Sequence, residues 1–148
     1  MAAPRIRALA LCIFHRNGQI LVHQFYDSTK HHHLYRPIGG GIEFGETSAE
    51  AIVREVQEEL EQPIHSLRLL GTLESIFIYA GNPGHEIVQV YDGQFEDQRL
   101  YELPHIDGEE SNGAAFKVSW QDSSSFSADS PLVPEGLYDL LKGAGLLK

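Results

Sequence analysis

Two apolar runs flank Asn17-Gly18 in "RALALCIFHRNGQILVHQF". Asn-Gly takes up the positive φ of a tight turn readily, so this pattern predicts two antiparallel strands joined as a hairpin. The polar stretch "DSTKHHHLY" reads as a loop. Its adjacent His31, His32 and His33 would point apart on a strand or a helix, so they read as solvated residues rather than a metal site. In "ETSAEAIVREVQEEL" the spacing changes to a helical one. Ala49, Ile52, Val53, Val56 and Leu60 fall on one side at about 100° per residue and are expected to face the core. Thr47 and Glu50 form a capping-box pattern at the start, and Pro63 stops the helix near Glu61. The segments "SLRLLGTLESIFIYA", "HEIVQVYDGQF" and "AFKVSW" are β-branched and aromatic, hence strands. "EDQRLYELPHIDGEESNGA" is polar and reads as a long loop. "SADSPLVPEGLYDLLKGAGLLK" closes the chain with a second amphipathic helix that buries Leu137, Leu140 and Leu141. The order is β-hairpin, β, α, β, β, β, α: an α+β chain with a mixed sheet packed between helices.

Composition narrows the partners. The chain has 148 residues, which suits one domain over 1–148. Its net charge is −10, the wrong sign for a surface that binds long nucleic acid. A small anion such as a nucleotide could still bind through local donors or a metal. Cys12 is the only cysteine, which excludes an internal disulfide and suits a reducing cytoplasm. The apolar stretch of "MAAPRIRALALCIF" is short and broken by Arg5 and Arg7, so neither a membrane span nor a signal peptide is expected.

Candidate chemistry concentrates in "RPIGGGIEFGETSAEAIVREVQEELEQ". Between Glu43 and Glu61 lie seven acidic residues and one basic residue, Arg54. Like charges at i, i+3 and i+4, as in Glu55, Glu58 and Glu59, destabilise a helix by about 0.2–0.5 kcal/mol per pair. A divalent cation converts that repulsion into coordination, and Mg²⁺ favours carboxylates bridging to phosphates. The glycines at 39–41 and Gly45 allow sharp turns and close approach of backbone to a ligand.

This stretch resembles the Nudix box, G-x5-E-x7-R-E-U-x-E-E-x-G-U, where U is a bulky aliphatic residue. Gly40, Glu46, Arg54, Glu55, Val56, Glu58 and Glu59 match in register. Six fixed identities coincide by chance at about 10⁻⁷ per starting position. Three positions depart from the pattern. The lead-in is Ile38-Gly39-Gly40, with proline one place early at Pro37, and the closing Gly and U are Glu61 and Gln62.

The resemblance implies a Nudix fold, an α/β/α sandwich, and hydrolysis of the pyrophosphate in a nucleoside diphosphate linked to a group X. It implies Mg²⁺, with Mn²⁺ as the alternative, and Glu58, Glu59 and the Gly39 carbonyl as ligands. Glu55 is a ligand or the general base. Arg54 is a catalytic support that holds a carboxylate, with a surface ion pair as its plain alternative. Glu46 braces the glycine loop. Glu86, Glu109 and Glu110 are candidates for a further acid. Tyr35, Arg36, Gly40, Gly41 and Tyr79 are candidates for substrate contact; strand packing for Tyr35 and a surface charge for Arg36 stay open. The partner is a nucleotide-type small molecule, and the protein a monomer or homodimer.

Phe77 stands where ADP-ribose hydrolases of the family often carry proline, and Tyr79 where dinucleoside polyphosphate hydrolases often carry tyrosine. Two other functions compete. A non-catalytic nucleotide-binding regulator would be expected to lose box glutamates, and none of the catalytic set is lost. An isopentenyl-diphosphate isomerase would need Cys12 in a pocket, whereas its apolar run places it in the core.

Overall fold

The computed structural model describes residues 4–148, so the first three residues of the N-terminal segment lie outside it. Strand β1 (Arg7–Ile13) sits in a four-stranded mixed sheet with β5 (Ile38–Gly41), β6 (Ile64–Tyr79) and β7 (Asn82–Phe95), in the order β5-β1-β7-β6. β1 runs antiparallel to β5 and parallel to β7. The second sheet takes β2 (His15–Arg16), β3 (Gln19–Asp27), β9 (Ala115–Gln121) and β8 (His105–Glu109) in that order, with β4 (His32–Arg36) paired to β3.

Alternation along β1 explains the layering. Ala10 and Cys12 face helix α1 (Ser48–Leu60) and pack with Ala51, Ile52, Val56 and Leu60. Leu9 and Leu11 face the other way, towards Leu137 and Leu141 of α2 (Leu137–Gly143). The four-stranded sheet is thus covered by one helix on each face, as an amphipathic strand pattern requires when both faces are apolar.

Several expectations need correction. The Asn17-Gly18 turn forms, with φ of 49° and 82°, but it joins only the short β2 to the start of β3. The long runs on either side belong to different sheets, because the chain crosses between them at the buried Phe14. His32 and His33 lie on β4 rather than in a loop. Two of the five residues of β8, Asp107 and Glu109, are carboxylates, which hid a strand whose Ile106 is buried within the expected loop. A short 3₁₀ turn (Gln98–Glu102) also falls in that loop. Within α1, Val53 is exposed and Ala51 is buried instead, so the core-facing stripe is rotated from the expected one. The second helix has only seven residues. Pro131 and Pro134 precede it, Gly136 starts it at φ 91° and Gly145 follows it at φ 77°. Leu137 and Leu141 are buried as expected, and Leu140 is half-buried.

Candidate active site

The glycine run forms β5, the edge strand beside β1, and leads through a turn into α1. In that turn the Glu43 amide donates to Glu46 Oε1 at 2.9 Å and the Glu46 amide to the Glu43 carbonyl at 3.0 Å. The capping box then closes: the Glu50 amide donates to Thr47 Oγ1 and the Thr47 amide to Glu50 Oε1. These local bonds set the direction in which α1 aims its acidic face.

Arg54 ties the parts together. Its Nε donates to Glu46 Oε2 at 3.0 Å and its Nη2 to Glu46 Oε1 at 2.6 Å, the two-pronged geometry that only a guanidinium offers. Nη2 also donates to the Gly41 carbonyl at 2.9 Å, and Nη1 to Glu55 at 2.9 Å and Glu58 at 3.3 Å. A surface pair it is not: one side chain joins the loop, the strand and three helix or turn carboxylates. The hydrogen bond from Arg54, then the Glu43 amide, hold the Glu46 carboxyl below its ordinary range.

Glu55 lies flat on Gly40. A Cβ built at Gly40 would meet the Glu55 carboxyl at 2.5 Å, so only glycine lets this carboxylate reach the strand. A Cβ at Gly39 would collide with the Ala10 carbonyl of β1; that glycine serves the close packing of β5 on β1. Glu59 stands beside Glu55. Burial, then the Glu55 charge and a hydrogen bond with Glu55, push the Glu59 carboxyl up to about 8. The charge of Glu110 adds to this and that of Arg36 opposes it. Glu58 is 54% exposed and turned towards Arg54. Among the described residues no three acidic, histidine or cysteine side chains form a ready-made ligand set. The close pair is Glu55 with Glu59.

Arg36 and Glu110 also line a cleft of about 680 Å³ between the two sheets. Its floor is the four-stranded sheet, where Ser75, Glu86 and Arg7 form a cross-strand row. At its far end Phe77 lies over Gly84, at a place where any Cβ would collide with the ring. Phe25 meets Tyr79 edge-on at 5.5 Å, and the Tyr79 hydroxyl donates to the Tyr26 carbonyl at 3.0 Å.

The expected residues therefore divide. Gly39, Gly40, Gly41, Glu46, Arg54, Glu55, Glu58 and Glu59 gather where β5 packs on α1, and the charges of Arg36 and Glu110 act on Glu59. Glu86 lies in the cleft floor, 3.6 Å from Arg7. Glu109 ends β8, opposite Ala115, and is exposed. Tyr79 is in the cleft at the aromatic end. Tyr35 faces the other way on β4, where its ring meets Phe126 edge-on at 5.2 Å. Cys12 is fully buried, and burial followed by the Asp92 charge pushes its thiol far up, so it offers no nucleophile. Sequence reading missed His23. It lies directly opposite Arg36 across β3 and β4 and lines the same cleft; only the strand pairing reveals it.

The NUDIX domain family model matches residues 3–131. Solved structures share the fold. The MutT NUDIX hydrolase from Burkholderia pseudomallei superposes with a TM-score of 0.64 at 19% identity, covering 92% of this chain and 96% of that one. The mMutator MutT protein from Bacillus halodurans gives 0.56 at 17%, covering 90% and 79%. A NUDIX hydrolase from Nitrosomonas europaea gives 0.54 at 14%, covering 97% and 81%. With the domain match spanning most of its length and the box residues assembled around Arg54, this chain belongs to the Nudix family of hydrolases.

Proposed function

We propose that the protein is a Mg²⁺-dependent hydrolase of a nucleoside diphosphate linked to a group X, with the nucleoside in the cleft and the pyrophosphate over the acidic helix. Hydrolysis of a pyrophosphate bond follows from family membership; the metal, the substrate and the residue roles are the proposal. The observation that carries it is the Glu55–Glu59 pair, packed on Gly40 and under the charges of Arg36 and Glu110, which line the cleft. Two carboxyls that share a half-buried site disfavour full ionisation of both. Added positive charge stabilises such a pair most, and the all-oxygen donor set suits Mg²⁺ or Mn²⁺. Glu55, Glu58 and Glu59 would hold the ion, with the Gly39 carbonyl beside them. When bound, it supplies charge neutralisation at the pyrophosphate and activates water for attack on phosphorus.

The chain's own groups do the positioning. Arg54 keeps Glu55 in place and ties Glu46 to the Gly41 carbonyl, which prevents the loop from sagging away from the helix. Glu55 takes the proton of the attacking water, and its neighbour Glu59 completes the anionic wall. Arg36, at the border of acidic cluster and cleft, faces the phosphates and orients them. The aromatic end of the cleft, Phe25, Phe77 and Tyr79, holds the base by stacking and edge contacts. No helix among the described residues is long and apolar enough to cross a membrane.

A screen of nucleoside triphosphates, dinucleoside polyphosphates, nucleotide sugars and ADP-ribose with and without Mg²⁺, reading phosphate or monophosphate release, tests the proposal. Metal-dependent turnover of at least one class is expected. Nucleoside triphosphates or dinucleoside polyphosphates should match or exceed ADP-ribose, since Phe77 replaces the proline and Tyr79 is in the cleft. A preference for ADP-ribose above about tenfold overturns that ranking, which at about 1.4 kcal/mol is well beyond a marginal contact.

A further inference from the structure

The proposed chemistry leaves one row of the cleft floor unused. Ser75, Glu86 and Arg7 are direct neighbours across β6, β7 and β1. The Glu86 side chain is 13% exposed, and its carboxylate accepts no hydrogen bond among the described residues. Arg7 Nη1 stands 3.6 Å away, beyond hydrogen-bond reach, on a side chain that is 55% exposed and therefore screened. Ser75 is 4% exposed and lines the same cleft; its hydroxyl also lacks a hydrogen-bond partner among the described residues. Among the described residues the enclosed side-chain polar atoms without a partner are Asp27 Oδ2 and His32 Nε2; Glu86 and Ser75 instead open onto the cleft, where donors of a bound ligand can take the place of water on them. The next row of the same floor is Phe77, lying over Gly84. An aromatic face beside an open carboxylate is the arrangement that stacks a flat ring and reads its edge.

We infer that Glu86, assisted by Ser75, selects a base whose edge presents two adjacent N–H donors, which among the common bases is guanine. This rests on the reading of the cleft as the nucleoside subsite. A carboxylate only accepts, and its two oxygens match two parallel donors. Guanine offers N1–H and the 2-amino group side by side. Adenine and cytosine offer one amino group next to a ring nitrogen whose lone pair would face the carboxylate. Uracil sets its single N–H between two carbonyls. Bonds to an ionised acceptor are about twice as strong as neutral ones, so Glu86 both attracts guanine and rejects the others.

Two measurements test this. One compares kcat/KM for GTP, ITP and ATP with Mg²⁺, in the parent protein and in Glu86→Gln. ITP keeps N1–H but lacks the 2-amino donor. GTP is expected to exceed ITP and ATP by at least about tenfold, the low end for one good bidentate base contact. In Glu86→Gln, where a donor replaces one acceptor, the ratios should collapse towards one. Ser75→Ala, which leaves the carboxylate, should reduce them only in part. The second measurement is calorimetry of GMP, IMP and AMP on the metal-free protein, which reads the cleft without turnover. GMP should bind at least about tenfold tighter than IMP or AMP, and Glu86→Gln should abolish the difference. Equal or undetectable binding of the three monophosphates, or a GMP preference that survives Glu86→Gln, overturns the inference. If GMP is preferred but no nucleotide is hydrolysed, the hydrolase reading falls and this one stands. If nucleotides are hydrolysed with no Glu86-dependent preference, the reverse holds.

Discussion

The two ends of the proposed site are built in opposite ways. The acidic end comes from one continuous stretch, residues 39–59, in which a strand, a turn and a helix lie next to each other in sequence. Arg54 reaches its partners over separations of 1 to 13 residues. The cleft is assembled from distant pieces. Arg7, Phe25, Arg36, Phe77 and Glu86 come from both sheets, and Glu110 from just past the end of β8. Charge chemistry that must hold a fixed geometry is placed on neighbouring elements, whose relative positions are set by caps and short turns. In the proposed reading, recognition falls where the two sheets meet, so that its walls can vary while the chemistry stays fixed.

The sharpest way to separate the two ends is Glu59→Gln. Turnover should fall by at least about a hundredfold, because the metal-assisted charge stabilisation is lost. Binding of a nucleoside monophosphate in the cleft should barely change. Parallel kinetics and calorimetry check both halves, and a Glu59→Gln protein with near-normal, Mg²⁺-dependent turnover would break the comparison. Glu58→Gln is expected to lose a similar factor if the exposed Glu58 swings from Arg54 to the ion; a small effect would narrow the ligand set to Glu55 and Glu59.

Gly40→Ala addresses the acidic end through the backbone. The new methyl would meet the end of a flexible side chain, the Glu55 carboxyl, at 2.5 Å. The fold should tolerate it within about 1 kcal/mol, while turnover drops about ten- to hundredfold because Glu55 is displaced. A thermal melt beside the rate distinguishes the two. Phe77→Ala does the converse at the other end. Losing a stacking face costs about 1–3 kcal/mol per base, so KM should rise while kcat with saturating substrate holds. A fall in kcat alone would place Phe77 in the chemistry.

Stability against pH gives a smaller signature of the same division. The Glu59 carboxyl is pushed up to about 8, first by burial and then by Glu55, so the folded chain binds this proton more tightly than the unfolded chain does. The associated stability is fully present below the ordinary glutamate pKa of about 4 and is lost as pH rises through about 8. Metal-free protein should therefore melt lower at pH 8 than at pH 5.5. Added Mg²⁺ or Glu59→Gln should flatten that slope. A slope unchanged by both would place its source elsewhere.

The smallest effect is expected at the helix end, outside both halves. Glu61 sits at φ 55°, ψ 39°, the left-handed conformation that glycine adopts without a Cβ penalty. Glu61→Gly should stabilise the fold by about 0.5–1 kcal/mol, or roughly 1–4 °C in Tm for a chain of this size. Activity should stay within about twofold, since Glu61 touches none of the Arg54 network. A clear loss of thermal stability would contradict this.

Periodicity, capping and spacing were enough to place α1, its capping box, the carboxylate face and the arginine among them, because these depend on separations of a few residues. The glycine positions were legible as points of close approach, and the helix end near Glu61 was set by Pro63. The partition of the first two strands between different sheets was not, since a strand pattern records which faces are buried and not which neighbour buries them. For the same reason β8 hid among its charges, and the core stripe of α1 turned by one position towards Ala51. The sorting of Tyr35 from Arg36, of Glu110 from Glu109, and the appearance of His23 and Glu86 in one cleft came from tertiary structure alone. Adjacent residues on a strand point to opposite faces, and only the packing of two sheets decides which face becomes a wall of the cavity.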